Sequence, residues 1–166
     1  MEKKIYLSVI FLLLAGVVMA QSAYDDLLKT VYKNTVPQIK AAELKEKIET
    51  KQNVVILDTR STEEYEVSHI PGAVHVEYDN FKPRDVLRYD KSSEVIVYCT
   101  VGARSENIGE KLLEIGFTDV ENLYGGIFQW VNEDGSIVNK KNQPTDSVHT
   151  YSWLWSHWLK KGVKVR

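Results

Sequence analysis

Cysteine is nearly absent from this chain. Cys99 stands alone among 166 residues, so no disulfide can staple the chain to itself and a disulfide scaffold is excluded. One cysteine and four histidines supply no third clustered ligand, so no metal and no other cofactor is expected. Neither sign of charge dominates: 21 Lys and Arg stand against 23 Asp and Glu, a formal net charge of −2. That balance removes any global electrostatic case for nucleic acid or an anionic membrane. Internal repeats and low-complexity linkers are missing as well. What is present, 43% hydrophobic and 27% charged residues, suits one compact domain with a real core.

The apolar stretch Ile5 to Val18 is shorter than the roughly 20 residues that a membrane-spanning helix needs. It follows Lys3 and Lys4 and precedes Val18-Met19-Ala20, the small-x-small pattern of a signal-peptidase site, so residues 1–20 are expected to be a cleaved signal peptide. No cysteine near the cut offers a lipid acceptor. Loss of Glu2, Lys3 and Lys4, together +1, takes the formal charge from −2 to −3. The expectation is an exported protein, periplasmic in a Gram-negative source and otherwise secreted.

Beyond Gln21, helix and strand signals alternate. "AAELKEKIET" has helical spacing, "NVVILDT" is a short β-branched run, and Ser61-Thr62-Glu63-Glu64 fits a capping box. "GAVHV" and "SEVIVY" read as strands, "SENIGEKLLEIGF" as an amphipathic helix ending at Gly116, and "DVENLYGG" as a strand running into a glycine turn. The alternation implies an α/β fold with a mostly parallel sheet covered on both faces. Residues 21–35 are expected to form a loosely packed leader, and "NEDGSIVNKKNQPTDS" a loop.

The cysteine count leaves three readings of Cys99: an inert buried residue, an intermolecular disulfide, or a reactive thiol. Its neighbours favour the last. Cys99 directly follows "EVIVY" and precedes a helix expected to start near Ser105, and ligands of open parallel sheets bind outside the carboxyl ends of the strands. The intervening Thr100, Val101, Gly102, Ala103 and Arg104 form a tight loop whose amides, with the following helix and the Arg104 guanidinium, would stabilise a thiolate, a persulfide or an oxyanion.

"VVILDTRSTEEYEVSHIPGAVHVEY", "VIVYCTVGARSENIGEKLLEIGF" and "VENLYGGIFQW" resemble, in that order, the hallmark segments of the single rhodanese domain. The resemblance covers roughly residues 36–136, leaving 137–166 as an aromatic-rich extension. It implies a three-layer α/β fold with about five strands between helices. It also implies transfer of sulfane sulfur from a donor such as thiosulfate to a thiol or cyanide-like acceptor, or to a protein acceptor. Cys99 would then be the nucleophile that becomes a persulfide, and Arg104 would bind an anionic donor in a double displacement. The alternative within the family is a persulfide carrier or binding module with little thiosulfate turnover. Cysteine phosphatases and arsenate reductases of similar fold place the arginine one position further on; the shorter spacing here favours sulfur.

Asp58 and Arg60 in "LDTR" are expected to serve the scaffold or to support the site, as is Ser105. His69 and His75 fall in the family's structural turn, where a thiol-protease pairing is disfavoured. Gly125, Gly126 and Trp130 read as structural. Tyr151, Leu154, Trp155 and Trp158 share one helical face, while Tyr151, Trp153 and Trp155 would share one face of a strand, so periodicity leaves the element open; length favours a helix, and the tail is expected to pack back on the domain rather than dock on a partner or a membrane interface.

Overall fold

The computed structural model describes residues 23–166, and the expected signal peptide lies outside the described residues. The described residues up to Tyr32 and those from Lys33 onward belong to two compact units. In the first, residues 23–31 form a helix, α1, where a loose leader was expected. Leu27, Leu28 and Lys29 are good helix formers, and Lys29 reaches Asp26 one turn back at 2.8 Å. At the start of the second unit, the backbone N–H groups of Lys33 and Thr35 each donate to the buried Glu106 carboxylate at 2.9 Å. Residues 33–35 are therefore pinned.

The second unit runs β1 (Gln38–Ile39), α2 (Ala41–Glu49), β2 (Val55–Asp58), α3 (Thr62–Val67), β3 (Val74–His75), β4 (Glu94–Tyr98), α4 (Ala103–Glu114), β5 (Asp119–Leu123) and α5 (Gly126–Asn132). All five strands are parallel, in the order β1-β5-β4-β2-β3. β1, a two-residue edge strand paired through Ile39 with Leu123, carries too short a pattern to be read from sequence. The central β4 pairs along its length, Val95 with Val55 and Val120, Val97 with Leu57 and Asn122. Burial on both faces explains its unbroken apolar run.

Pleating sends alternate residues to opposite faces. Val95, Val97 and Leu57 join Ile108 and Leu112 of α4, together with Phe117 and Val120, in one core. Ile96, Tyr98 and Asp58 project to the other face. The capping box forms as expected: Ser61 Oγ accepts from Glu64 N–H at 3.3 Å, and the Glu64 carboxylate accepts from Ser61 N–H at 3.1 Å.

A fully buried ion pair ties β2 to β4. Arg60 Nε and Nη2 donate to the two Asp58 oxygens at 2.9 and 2.6 Å, and Nη2 also donates to the Ser68 carbonyl at 2.5 Å. Tyr98 Oη donates to Asp58 Oδ2 at 2.7 Å and accepts from Ile70 N–H at 3.1 Å. Burial drives the Tyr98 hydroxyl well above its ordinary range, and the adjacent Asp58 charge adds to the shift. The tyrosine therefore stays a neutral donor. His75 Nε2 lies 2.8 Å from the Arg60 carbonyl, and His69 Nδ1 lies 3.0 Å from the Tyr65 carbonyl. Both rings stack on Tyr65, in keeping with a structural turn.

Two expectations for the last third of the chain are corrected. The stretch expected as a loop forms an antiparallel hairpin, β6 (Ile137–Val138) with β7 (Pro144–Thr145). Asn139 Oδ1 organises its turn by accepting from Lys141 N–H and Gln143 N–H, and Val138 exchanges backbone bonds with His69. The tail is not one helix. It is β8 (Ser147–His149), a single turn α6 (Trp153–Ser156) and β9 (Val163–Val165), with β8 and β9 in parallel pairing. Two left-handed residues break any longer helix: Tyr151 at φ 61° and Gly162 at φ 86°. Among the described residues, no helix is long and apolar enough to cross a membrane.

Arg60→Met strands the buried Asp58 carboxylate, and removing one partner of a buried pair costs roughly 3–5 kcal/mol. An unfolding free energy from urea titration lowered by that amount is the expected result; a loss below about 1 kcal/mol would show that the pair is dispensable.

Candidate active site

Cys99 leaves the carboxyl end of the central strand and is buried. The chain then turns through Thr100 and Val101 to Gly102, the α4 N-cap, whose φ of 104° is open to glycine and resisted by other residues. Gly102 N–H donates to Cys99 Sγ at 3.1 Å. The helix begins at Ala103, two residues earlier than expected, so Ala103 and Arg104 belong to its first turn rather than to the loop. The sulfur thus sits over a helix N-terminus, where backbone dipoles favour negative charge.

The loop is held from below and from the side. Ile127 N–H and Phe128 N–H of α5 donate to the carbonyls of Cys99 and Thr100 at 2.9 and 3.2 Å. In a trans peptide the N–H points opposite to the C=O, so these bonds turn the Thr100 and Val101 amides away from α5. Gly126 makes the close approach feasible, since a Cβ there would lie 2.4 Å from the Cys99 carbonyl oxygen. Ser105 Oγ donates to Asn122 Oδ1 at 2.7 Å, and Asn122 Nδ2 donates to the Gly102 carbonyl at 2.9 Å. Ser105 therefore supports the loop through Asn122, a buried residue of β5 that sequence reading did not single out.

Arg104 is committed to a partner the sequence did not announce. Its Nη1 and Nη2 donate to the two Glu64 oxygens at 2.9 Å each, and Nη2 donates to Thr100 Oγ1 at 2.8 Å. Thr100 Oγ1 in turn donates to Glu64 Oε1 at 2.7 Å. Burial pushes the Glu64 carboxyl up, but the Arg104 fork, the Thr100 hydroxyl and the field of Arg60 outweigh it and hold the group at about 2 against an ordinary 4.5. Burial pushes Arg104 down, and the bonds to Glu64 together with the Cys99 charge more than restore it. Capping box and ion pair thus share one carboxylate.

A pocket of about 240 Å³ opens over the sulfur, lined by Cys99, Thr100, Val101, Ala103, Arg104, Tyr151 and Trp155. Five of these seven are the expected site segment. Tyr151 and Trp155 come from the C-terminal extension. Asp58, Arg60, His69 and His75 do not line it; Asp58 and Arg60 belong to the scaffold. Trp130 is buried in the core, its Nε1 donating to the Ser136 carbonyl at 2.8 Å.

The strand-cysteine-loop-helix unit in a five-stranded parallel sheet defines the rhodanese class of sites. The sequence profile of the rhodanese-like domain matches residues 40–133, and the chain belongs to that family. It is 37% identical over 98 residues to the Bacillus subtilis protein YtwF, provisionally named a sulfurtransferase, covering 59% of this chain and 93% of YtwF. A Bacillus subtilis protein provisionally named as the sulfur carrier YrkF is 31% identical over 100 residues (60% of this chain, 54% of YrkF). The tRNA uridine(34) hydroxylase of Cytophaga hutchinsonii is 36% identical over 107 residues (62% of this chain, 34% of the hydroxylase). The chain spans about a third to a half of these last two relatives. Among solved structures, the thiosulfate sulfurtransferase of Pseudomonas aeruginosa superposes with a TM-score of 0.60 at 25% identity, over 75% of this chain and 23% of that one. The rhodanese-like domain of an Anabaena protein gives 0.58 at 28%, over 62% and 79%.

Gly126→Ala pushes a methyl into the Cys99 carbonyl in a left-handed backbone. A stability loss of about 1–3 kcal/mol is expected, read by chemical denaturation. The Glu64 pair predicts a pH signature. A carboxyl whose folded value lies below its unfolded one stabilises the fold fully above 4.5, and that contribution is lost as pH falls toward 2. Unfolding free energies should place Glu64→Gln about 3 kcal/mol below the native chain near neutrality, the gap shrinking below pH 4.5. A gap independent of pH would refute the ionised pair.

Proposed function

We propose that this protein is a sulfurtransferase that carries sulfane sulfur on Cys99. The observation that carries the reading is the Cys99 sulfur itself, placed at the carboxyl end of the central strand, accepting the Gly102 N–H at 3.1 Å and facing a pocket at a helix N-terminus. With thiosulfate as donor, the Cys99 thiolate attacks the outer sulfur. A new S–S bond forms to Sγ, the donor's S–S bond breaks, and sulfite leaves with the electron pair. A thiol, cyanide or protein nucleophile then attacks the outer sulfur of the persulfide, and the Cys99 thiolate leaves. The loop amides and the α4 N-terminus stabilise the negative charge in both steps.

A second reading, a persulfide carrier with little thiosulfate turnover, has its own support. Arg104, the expected anion-binding group, is neutralised by Glu64, and one relative is named as a sulfur carrier. Export remains part of the proposal on the strength of the N-terminal signal pattern alone, with Gram-negative periplasm or the exterior as the compartment.

Intact mass before and after thiosulfate tests the reading. A gain of about 32 Da that cyanide removes as thiocyanate is expected, and it should vanish in Cys99→Ser. Sulfur uptake surviving that substitution would overturn the assignment; uptake from polysulfide but not from thiosulfate would select the carrier form.

A further inference from the structure

The C-terminal extension completes the pocket with an aromatic wall that the sulfur chemistry itself does not require. Its position is fixed on both sides. Before the wall, Thr150 is buried and bonds the Val165 carbonyl through its N–H at 3.0 Å, extending the β8–β9 pairing. After it, Leu159 is buried, and Asn132 of α5 donates to the Trp158 carbonyl at 2.9 Å and accepts from Lys160 N–H at 2.7 Å. Between these anchors Tyr151 adopts a left-handed φ of 61°, unfavourable for an aromatic residue. His149 Nδ1 holds the turn by accepting Tyr151 N–H at 3.1 Å. The result is a ring 5.0 Å from the Arg104 guanidinium carbon, with Trp155 joining it as pocket lining.

Among the described residues, Arg104 is the only formally positive side chain lining this pocket. Three of its N–H bonds go to Glu64 and Thr100, its charge is offset by the Glu64 carboxylate, and the Tyr151 ring lies over it. Among the described residues lining the pocket, no uncompensated cation is left to receive a compact dianion. Val101, Ala103, Tyr151 and Trp155 instead offer apolar and aromatic surface. The volume of about 240 Å³ exceeds the roughly 150 Å³ in which an apolar protein cavity accommodates benzene.

Resting on the sulfurtransferase reading above, we infer that Tyr151 and Trp155 are specificity-determining residues that select sulfane-sulfur donors bearing an apolar, ring-sized substituent over compact dianions such as thiosulfate. Benzenethiosulfonate is the matched probe: a phenyl ring replaces one oxyanion of thiosulfate and the charge falls from −2 to −1. Cys99 thiolate attacks its sulfane sulfur. The Sγ–S bond forms, the bond to the sulfonyl sulfur breaks, and benzenesulfinate leaves with the electron pair, so one thiolate and one monoanion become one persulfide anion and one sulfinate.

The experiment compares kcat/KM for the two donors, with cyanide as acceptor, in the native chain, Tyr151→Ala, Trp155→Ala and Trp155→Phe, with Cys99→Ser as blank. The native chain is expected to prefer the aryl donor by at least about tenfold. That ratio should fall about tenfold in each alanine variant and be largely kept in Trp155→Phe, an aromatic contact being worth about that factor. Because each ratio is taken within one protein preparation, partial misfolding cancels. A native preference for thiosulfate, or a ratio unmoved in both alanine variants, overturns the inference while leaving sulfur transfer standing. If neither donor loads Cys99, the sulfurtransferase reading falls and this one with it.

Discussion

The site depends on two hydrogen bonds that do not touch the sulfur. Ile127 and Phe128 N–H, at the start of α5, take up the carbonyls of Cys99 and Thr100, and peptide planarity then dictates where the loop amides point. The approach is so close that only a glycine fits at 126, and the left-handed N-cap at Gly102 lets its N–H reach back to Sγ. Asn122 and Ser105 fasten the same turn from the adjacent strand and helix. A cysteine at the end of a strand becomes an anion-stabilising centre because three elements agree on the path of four residues.

Two acid–base pairs on the same side of the molecule do different work. Asp58 and Arg60 are fully buried, joined by Tyr98, and are not among the residues lining the pocket. Their energetic role is to leave no buried charge alone, which is costly when broken and of modest net value when intact. Glu64 and Arg104 sit at the pocket edge, where the guanidinium retains partial exposure of 24%. Here the pair sets the electrostatic character of the cleft. The arginine contributes position and hydrogen-bonding shape to the loop through Thr100, while its charge is balanced by Glu64.

The C-terminal extension turns a shared loop into an individual pocket. Its two short strands and single helical turn would be marginal by themselves. They persist because Val148, Thr150 and Leu159 are buried against the domain and because Asn132 claims the backbone of residues 158–161. Tyr151, Trp153 and Leu154 are all largely exposed, Tyr151 while lining the mouth of the pocket beside the half-buried Trp155.

Much of this was legible in the residues. The apolar run of β4, the capping box at Ser61 and Glu64, the amphipathic pattern of α4, and Cys99 with a glycine-bearing loop all have short-range causes: pleating, helical period and local hydrogen bonding. Gly126, Trp130, Asp58 and Arg60 read as scaffold from sequence, but the contacts that make them so, such as the approach of Gly126 to the Cys99 carbonyl and the bond from Tyr98 to Asp58, are tertiary. The two-residue β1 and the β6–β7 hairpin exist only through partners distant in sequence, and the tail's aromatic spacing fits a helix or a strand equally well. The second role of Glu64 escaped for the same reason, because a carboxylate that explains itself as a helix cap gives no sign of a guanidinium 40 residues away. Local sequence determined that Cys99 would stand on a strand-loop-helix turn. Tertiary structure alone decided that its arginine would be neutralised and that Tyr151 and Trp155 would wall the pocket, since both depend on contacts no residue can make with its own neighbours.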